Sequence, residues 1–157
     1  MTTSTPQTSR HAYTIREAAA LTGLPASTLR YYESIGVIAP VSRGASSGHR
    51  VYDDQDLDQL TWVACLAATG MSVSDMRRYV ANGQAGPSAA REQIALLTQQ
   101  QRRLERQAEQ VALRRRYVAL KVDYLQAVEA GDAARAELLS GEARRLADDL
   151  KRTGGPS

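Results

Sequence analysis

The stretch from Ser88 to Ala130 constrains this chain most, because it contains neither glycine nor proline. At positions 94, 97, 101, 104, 108, 111, 115, 118, 122 and 125 the residues are Ile, Leu, Gln, Leu, Ala, Val, Arg, Val, Val and Leu. Eight of these ten are apolar, in alternating steps of three and four, which is the 3.5-residue period of a coiled-coil seam. One long helix over 88–130 is therefore expected, with Ile94, Leu97, Leu104, Val111, Val118, Val122 and Leu125 as its dimerisation residues. A lone helix leaves such a seam in water, so a second copy of the chain is the expected partner. Leu113, Tyr117, Leu120 and Tyr124 form a second stripe that is expected to widen the same face at its far end. The Gly131-Asp132 break then precedes a last helix from Ala133 to Leu150, with Leu139, Ala143, Leu146 and Leu150 on one side, and RTGGPS is expected to fray.

The remaining residues decide what the long helix carries. Phenylalanine is absent and Trp62 is the only tryptophan, so alanine- and leucine-based helical packing is expected rather than a large globular core. No run approaches the roughly 18 apolar residues of a membrane span. The opening MTTSTPQTSRHA has no apolar signal core and reads as a flexible tail of a cytoplasmic protein. A single cysteine, Cys65, cannot form an internal disulfide, in keeping with a reducing compartment. The net charge of +3 is too mild to identify a partner. Its distribution says more: from His11 to Tyr52 there are four arginines against Glu17 and Glu33, before the acids from Asp53 to Asp58 offset the excess.

Two short helices open the chain. Thr14 and Glu17 have the spacing of a capping box, the segment TIREAAALT supplies apolar positions, and Gly23 ends it. Pro25 then leads into ASTLRYYESI, a second helix ended by Gly36. Two helices joined by a tight glycine-containing turn are the helix-turn-helix pattern. Val37-Ile38 and Arg50-Val51-Tyr52 read as strands around a loose tip with Gly44 and Gly48, hence a β-hairpin. Asp53 or Asp54 caps a third helix that Gly70 ends, and Ser72 or Ser74 opens a fourth, closed by Gly83.

Three strings carry a resemblance to the MerR family of transcription regulators: YTIREAAALTGLPASTLRYYESIGVI, GHRVYDDQDLDQL and TGMSVSDMRRYV. They cover roughly residues 13 to 82, the run T-L-R-Y-Y-E-x-I-G-V-I being the most specific, and the long helix extends the resemblance to about residue 130. The resemblance implies a mostly α fold. A winged helix-turn-helix head with a small β-hairpin wing occupies 12–82, a dimerising coiled-coil helix 88–130, and a short C-terminal helix of unassigned role 132–152. It also implies a homodimer of antiparallel long helices on an inverted-repeat site in double-stranded promoter DNA, with RNA polymerase at the same promoter. Such regulators act by bending and untwisting the DNA between promoter elements.

The DNA-binding residues expected on this basis are Thr14, Arg16, Ser27, Thr28, Arg30, Tyr31, Arg43, Arg50 and Tyr52. Side chains near the start of the second helix reach base edges or phosphates. Tyr31 is expected on the DNA and Tyr32 partly in the core. Arg43, with Arg50 and Tyr52 at the wing's base, is expected along the backbone, although Tyr52 reads more readily as a packing residue. Metal-sensing relatives carry cysteines near the far end of the long helix, where this chain has neither Cys nor His, so no metal and no cofactor is expected. The roughly 25 residues after Gly131 are too few for the large C-terminal domain of drug-sensing relatives. The strings LLTQQQRRLERQ and KVDYL resemble a branch in which some members sense aldehydes or other electrophiles through a cysteine in C-L-x-x-T-G-M. Cys65 stands at that position in CLAATGM, as a thiol sensor or as a small packing residue; the inducer itself is not legible. An enzyme is not expected, since no catalytic constellation is present. A coiled-coil adaptor without DNA binding is the alternative, but it leaves the TLRYYE segment and the hairpin unexplained.

Overall fold

The computed structural model describes residues 11–154; the expected N-terminal tail and the last residues of the frayed end lie largely outside them. The order is α1 (Ile15–Thr22), α2 (Ala26–Ser34), β1 (Ser42–Arg43), β2 (Arg50–Val51), α3 (Asp54–Ala68) and α4 (Val73–Gln84). A 3-10 turn (Gly86–Ala89), α5 (Ala90–Glu129) and α6 (Ala133–Thr153) follow. The expected mostly α fold, with a small hairpin, a long helix and a C-terminal helix, is what forms.

Local chemistry explains most of the boundaries. Thr14 Oγ1 accepts from the Glu17 N–H at 3.2 Å and Glu17 Oε2 accepts from the Thr14 N–H at 2.8 Å, the full capping box. Asp53 and Asp56 make the same box at the start of α3, at 2.8 and 3.0 Å. Ser72, not Ser74, caps α4 through the Asp75 N–H. Gly23 closes α1 with φ 73°, a left-handed conformation that a Cβ penalises.

Three boundaries differ from expectation. Val37-Ile38 is not a strand: both amides donate back to the Tyr32 carbonyl, at 2.9 and 3.4 Å, so neither is available to a ladder. Their side chains are buried in the core instead. The hairpin pairs Ser42 with Val51 and Arg43 with Arg50, in two strands too short to show alternation. Gly83 does not end α4, which continues to Gln84; the chain turns at Gly86, with φ 75°.

The chain forms two compact units, one ending at Gln100 and one beginning at Gln101. In the first, Leu29, Val37, Tyr52, Leu60, Val63 and Met76 are fully enclosed, drawn from α2, the segment after it, the end of the hairpin, α3 and α4. An antiparallel bridge between Tyr13 and Tyr52, with N–H···O distances of 2.8 and 2.9 Å, fastens the segment before α1 to the end of the hairpin. In the second unit α6 folds back on α5. Gly131, with φ 71°, makes the turn, and Asp132 caps α6 by accepting from the Arg135 N–H at 3.0 Å.

That fold-back corrects the reading of the second stripe. Leu120 packs with Ala143 and Leu146, flanked by Leu113, Tyr117 and Leu139, so the stripe is covered within the chain. At about 100° per residue, Leu120 lies about 200° around α5 from Val118. The stripe is therefore nearly opposite the seam instead of a widening of it. The seam stays open, with exposures from 39% at Leu104 to 63% at Ile94.

Candidate nucleic-acid interface

The capped start of α1, the outer face of α2 and the hairpin converge on one open cleft of about 460 Å³. Thr14, Arg16, Arg30, Arg43 and Arg50 all line it. The Tyr13–Tyr52 bridge sets Thr14 and Arg16 beside the hairpin, and burial of Leu29 and Tyr32 turns Arg30 and Tyr31 outward. Ser47 and His49 of the hairpin tip also line the cleft. Neither was expected there: His49 shows no sequence spacing to any other functional residue, and only the turn of the hairpin brings it to the arginines.

Four guanidinium groups around one concavity, with no acid among the lining residues, make a site for an extended polyanion. Within it the roles differ. Arg43 is exposed and its Nη1 donates to the Gly48 carbonyl at 3.1 Å, a tip contact that leaves its other N–H groups outward. Arg50 is only partly exposed, and its Nε donates to Glu33 Oε2 of α2 at 3.3 Å. Thr14 uses its hydroxyl oxygen as the cap of α1. Ser27 and Tyr31 are exposed and Thr28 is half-buried; none of the three lines the cleft, Ser27 and Thr28 standing in the first turn of α2 and Tyr31 just after Arg30. Tyr31 is 52% exposed with its ring 6.2 Å from that of buried Tyr32.

Tyr52 is the correction. Its ring is 0% exposed, because β2 leads it inward under α2 and α3, and an enclosed ring has no surface to offer a nucleic acid. Burial pushes its phenol above the ordinary value, so it stays neutral. Burial likewise raises the Asp56 carboxyl, against the lowering effect of its hydrogen bond from the Asp53 N–H. The Tyr13 phenol is raised mainly by its 2.9 Å hydrogen bond to Asp54.

A second concavity of about 470 Å³, between α3 and α4, is lined by Trp62, Cys65, Leu66, Tyr79, Val80 and Gln93, among others. Cys65 is exposed in it. The Trp62 and Tyr79 rings meet edge-on at 5.8 Å, and Gln93 Nε2 donates to the Tyr79 carbonyl at 3.2 Å. No arginine or lysine is among its lining residues. Among the described residues no three His, Cys, Asp or Glu side chains are grouped to hold a metal ion, and no helix is long and apolar enough to cross a membrane.

Comparison with known proteins fits this geometry. The family described as MerR HTH family regulatory protein matches residues 13–83, the span of the cleft and of the core beneath it. An uncharacterized HTH-type transcriptional regulator of Haemophilus influenzae is 33% identical over 108 residues, covering 69% of this chain and 77% of that protein. The uncharacterized regulator YyaN of Bacillus subtilis is 39% identical over 71 residues, 45% of this chain; the match spans about half, 51%, of YyaN. The crystal structure of HiNmlR, a MerR family regulator lacking the sensor domain, bound to promoter DNA, aligns with a TM-score of 0.64 and 27% identity. That alignment covers 82% of this chain and 96% of HiNmlR. With two thirds of a relative's length matched at this identity, beneath a head built as described, the chain belongs to the MerR family of HTH transcriptional regulators.

Proposed function

We propose that this chain is a homodimeric regulator that grips an inverted-repeat promoter site and controls transcription by distorting the DNA between the two halves. The arginine cleft carries the reading: Arg16, Arg30, Arg43 and Arg50 come from three separate elements to one concave surface. In it Arg43 holds the phosphate backbone while Arg30, with Ser27, Thr28 and Tyr31 along α2, faces the groove. HiNmlR, the structural relative bound to promoter DNA, supports the same use of the head. Residues 12–82 are then the DNA-binding part, 88–130 the dimerisation helix, and 132–152 a helix that covers the back of α5.

The dimer rests on the open seam. The chain's own α6 occupies the opposite stripe, so Leu104, Val111 and Val118 need a second copy, in antiparallel register as the family implies. The protein works in the cytoplasm on the nucleoid, with RNA polymerase as its partner at the promoter. Footprinting of the region upstream of its own gene tests the mechanism. The expected result is protection with and without inducer, with altered reactivity only at the central base pairs. Simple release on induction makes the protein a plain repressor instead.

For the signal, the exposure of Cys65 beside Trp62 favours an electrophile, whose carbon the Cys65 thiolate attacks as the carbonyl or conjugated double bond opens and its oxygen takes a proton from water. No cation lines that groove, so the charge favouring thiolate has to come from the arginine-rich long helix of the second copy. Induction by formaldehyde, methylglyoxal or a quinone should be lost in Cys65→Ala. Equal responses in both proteins remove Cys65 from the mechanism.

A further inference from the structure

One carboxylate oxygen on α2 holds the hairpin in two places. Glu33 Oε2 accepts from the Val41 N–H at 3.3 Å, just ahead of β1, and from Arg50 Nε at 3.3 Å on β2. The pair is shielded, with side-chain exposures of 15% for Glu33 and 19% for Arg50. Apart from this oxygen the hairpin is held at its base, by buried Val41 and Tyr52 and by the Tyr13–Tyr52 bridge. Its ladder is two residues long on each side, and among the described residues its tip, from Gly44 to His49, shows no hydrogen bond to an element outside the hairpin.

We infer that Glu33 and Arg50 are positioning residues, which lock the wing to the DNA-facing helix so that Arg43 and Arg30 present their charges at a fixed separation. This rests on the proposed DNA interface and reassigns Arg50 within it. Its guanidinium acts through Glu33, and the phosphate contact falls to Arg43. The physical reason is the cost of the alternatives. A shielded carboxylate that loses its cation partner is left uncompensated, so the pair resists separation more than an exposed pair does. A two-residue ladder, by contrast, fixes a hairpin only weakly. Without the pair the wing should be held only at its base, and its arginine should contribute less to any one bound geometry.

A double-mutant cycle on the full-length chain tests this, using a duplex selected by the wild-type protein from a random pool. Arg43→Ala is measured in the wild-type background and in Glu33→Gln, with circular dichroism and thermal melting of each protein. In wild type Arg43→Ala should weaken binding about tenfold; in Glu33→Gln the same change should cost less than about twofold, the signature of coupled groups. An equal Arg43 effect in both backgrounds overturns the inference while leaving the DNA interface intact. No Arg43 effect in the wild-type background overturns the interface reading, and this inference with it. If Glu33→Gln melts below the assay temperature, the cycle is run on Arg50→Gln, which leaves Glu33 its bond from Val41. Unfolding of both variants also overturns the inference, because the pair is then a determinant of the fold rather than of the wing's position.

Discussion

The unit that ends at Gln100 and the unit that begins at Gln101 face the same problem, apolar surface on short or narrow elements, and meet it differently. The first encloses Leu29, Tyr52, Leu60 and Met76 completely, by bringing four helices and a hairpin around one centre. The second has two helices and encloses one seam of them, around Leu120, Ala143 and Leu146. Val118, Val122 and Leu125, on the other side of the long helix, stay at 49–62% exposure. A head with a closed core is a finished object whose surface is free for another molecule. A two-helix unit with one face still apolar is unfinished, and its open face is the place for association.

The largest effect should come from the open face. Leu104→Glu combined with Val111→Glu places unpaired charges in the proposed seam, and association should weaken by at least a thousandfold, about 4 kcal/mol. Sedimentation of the full chain checks this. A variant that still sediments as a dimer breaks the comparison, because the seam is then not where copies meet. The head should keep its fold, because the enclosed core around Leu29 and Leu60 lies within the single chain.

The closed core should respond in the opposite sense. Leu29→Ala removes a fully enclosed side chain from α2 and should cost the head about 3 kcal/mol in chemical denaturation. Cross-linking across the long helices should persist while the head loosens. Loss of both together would mean that head and tail fold as one cooperative unit, which sharpens the comparison into a dependence of one on the other.

These contrasts follow how far the sequence could be read. The capping box of Thr14 and Glu17, the long helix and the helix of the T-L-R-Y-Y-E run are local patterns, and each forms as its spacing implies. What escaped is non-local. Glu33 and Arg50 are 17 residues apart with no periodicity to join them, so Arg50 read as one more wing cation. For Tyr52, two residues beyond Arg50, packing is the favoured sequence reading, but nothing local says that the ring is enclosed completely. Val37 and Ile38 look like a strand because β-branched pairs do, yet the turn at Gly36 returns their amides to Tyr32. The Leu113–Tyr124 stripe was legible as apolar, but only the fold-back at Gly131 says that α6 covers it. His49 joins the arginine cleft by the same route, through a turn whose geometry no motif announces.

On the surface of the head the effects should be smaller. Arg30→Ala should cost about 1–3 kcal/mol on the selected duplex if its guanidinium reads a base, and far less on random DNA. Arg43→Ala should weaken both duplexes alike and lower the slope of log K against log salt by about 1. Titrations at several salt concentrations separate the two. Identical behaviour of the two variants breaks the division between groove-facing and backbone-facing arginines.

The smallest effect expected is at Asp56, inside the head's own capping network. Its carboxyl is raised above the ordinary value of 3.8, burial outweighing the hydrogen bond from the Asp53 N–H. The folded chain therefore binds this proton more tightly than the unfolded chain does. Its contribution is most favourable at pH below 3.8 and is lost as pH rises through the raised folded value. Asp56→Asn keeps an oxygen for the Asp53 N–H but has no proton to lose. The melting temperature of the Asn variant, relative to wild type, should therefore increase by a few degrees, roughly 1 kcal/mol or less, between about pH 3.5 and pH 7. Calorimetry across that range checks the sign. A variant that falls behind wild type as pH rises means that the charged carboxylate stabilises the start of α3, through the helix dipole, more than burial penalises it.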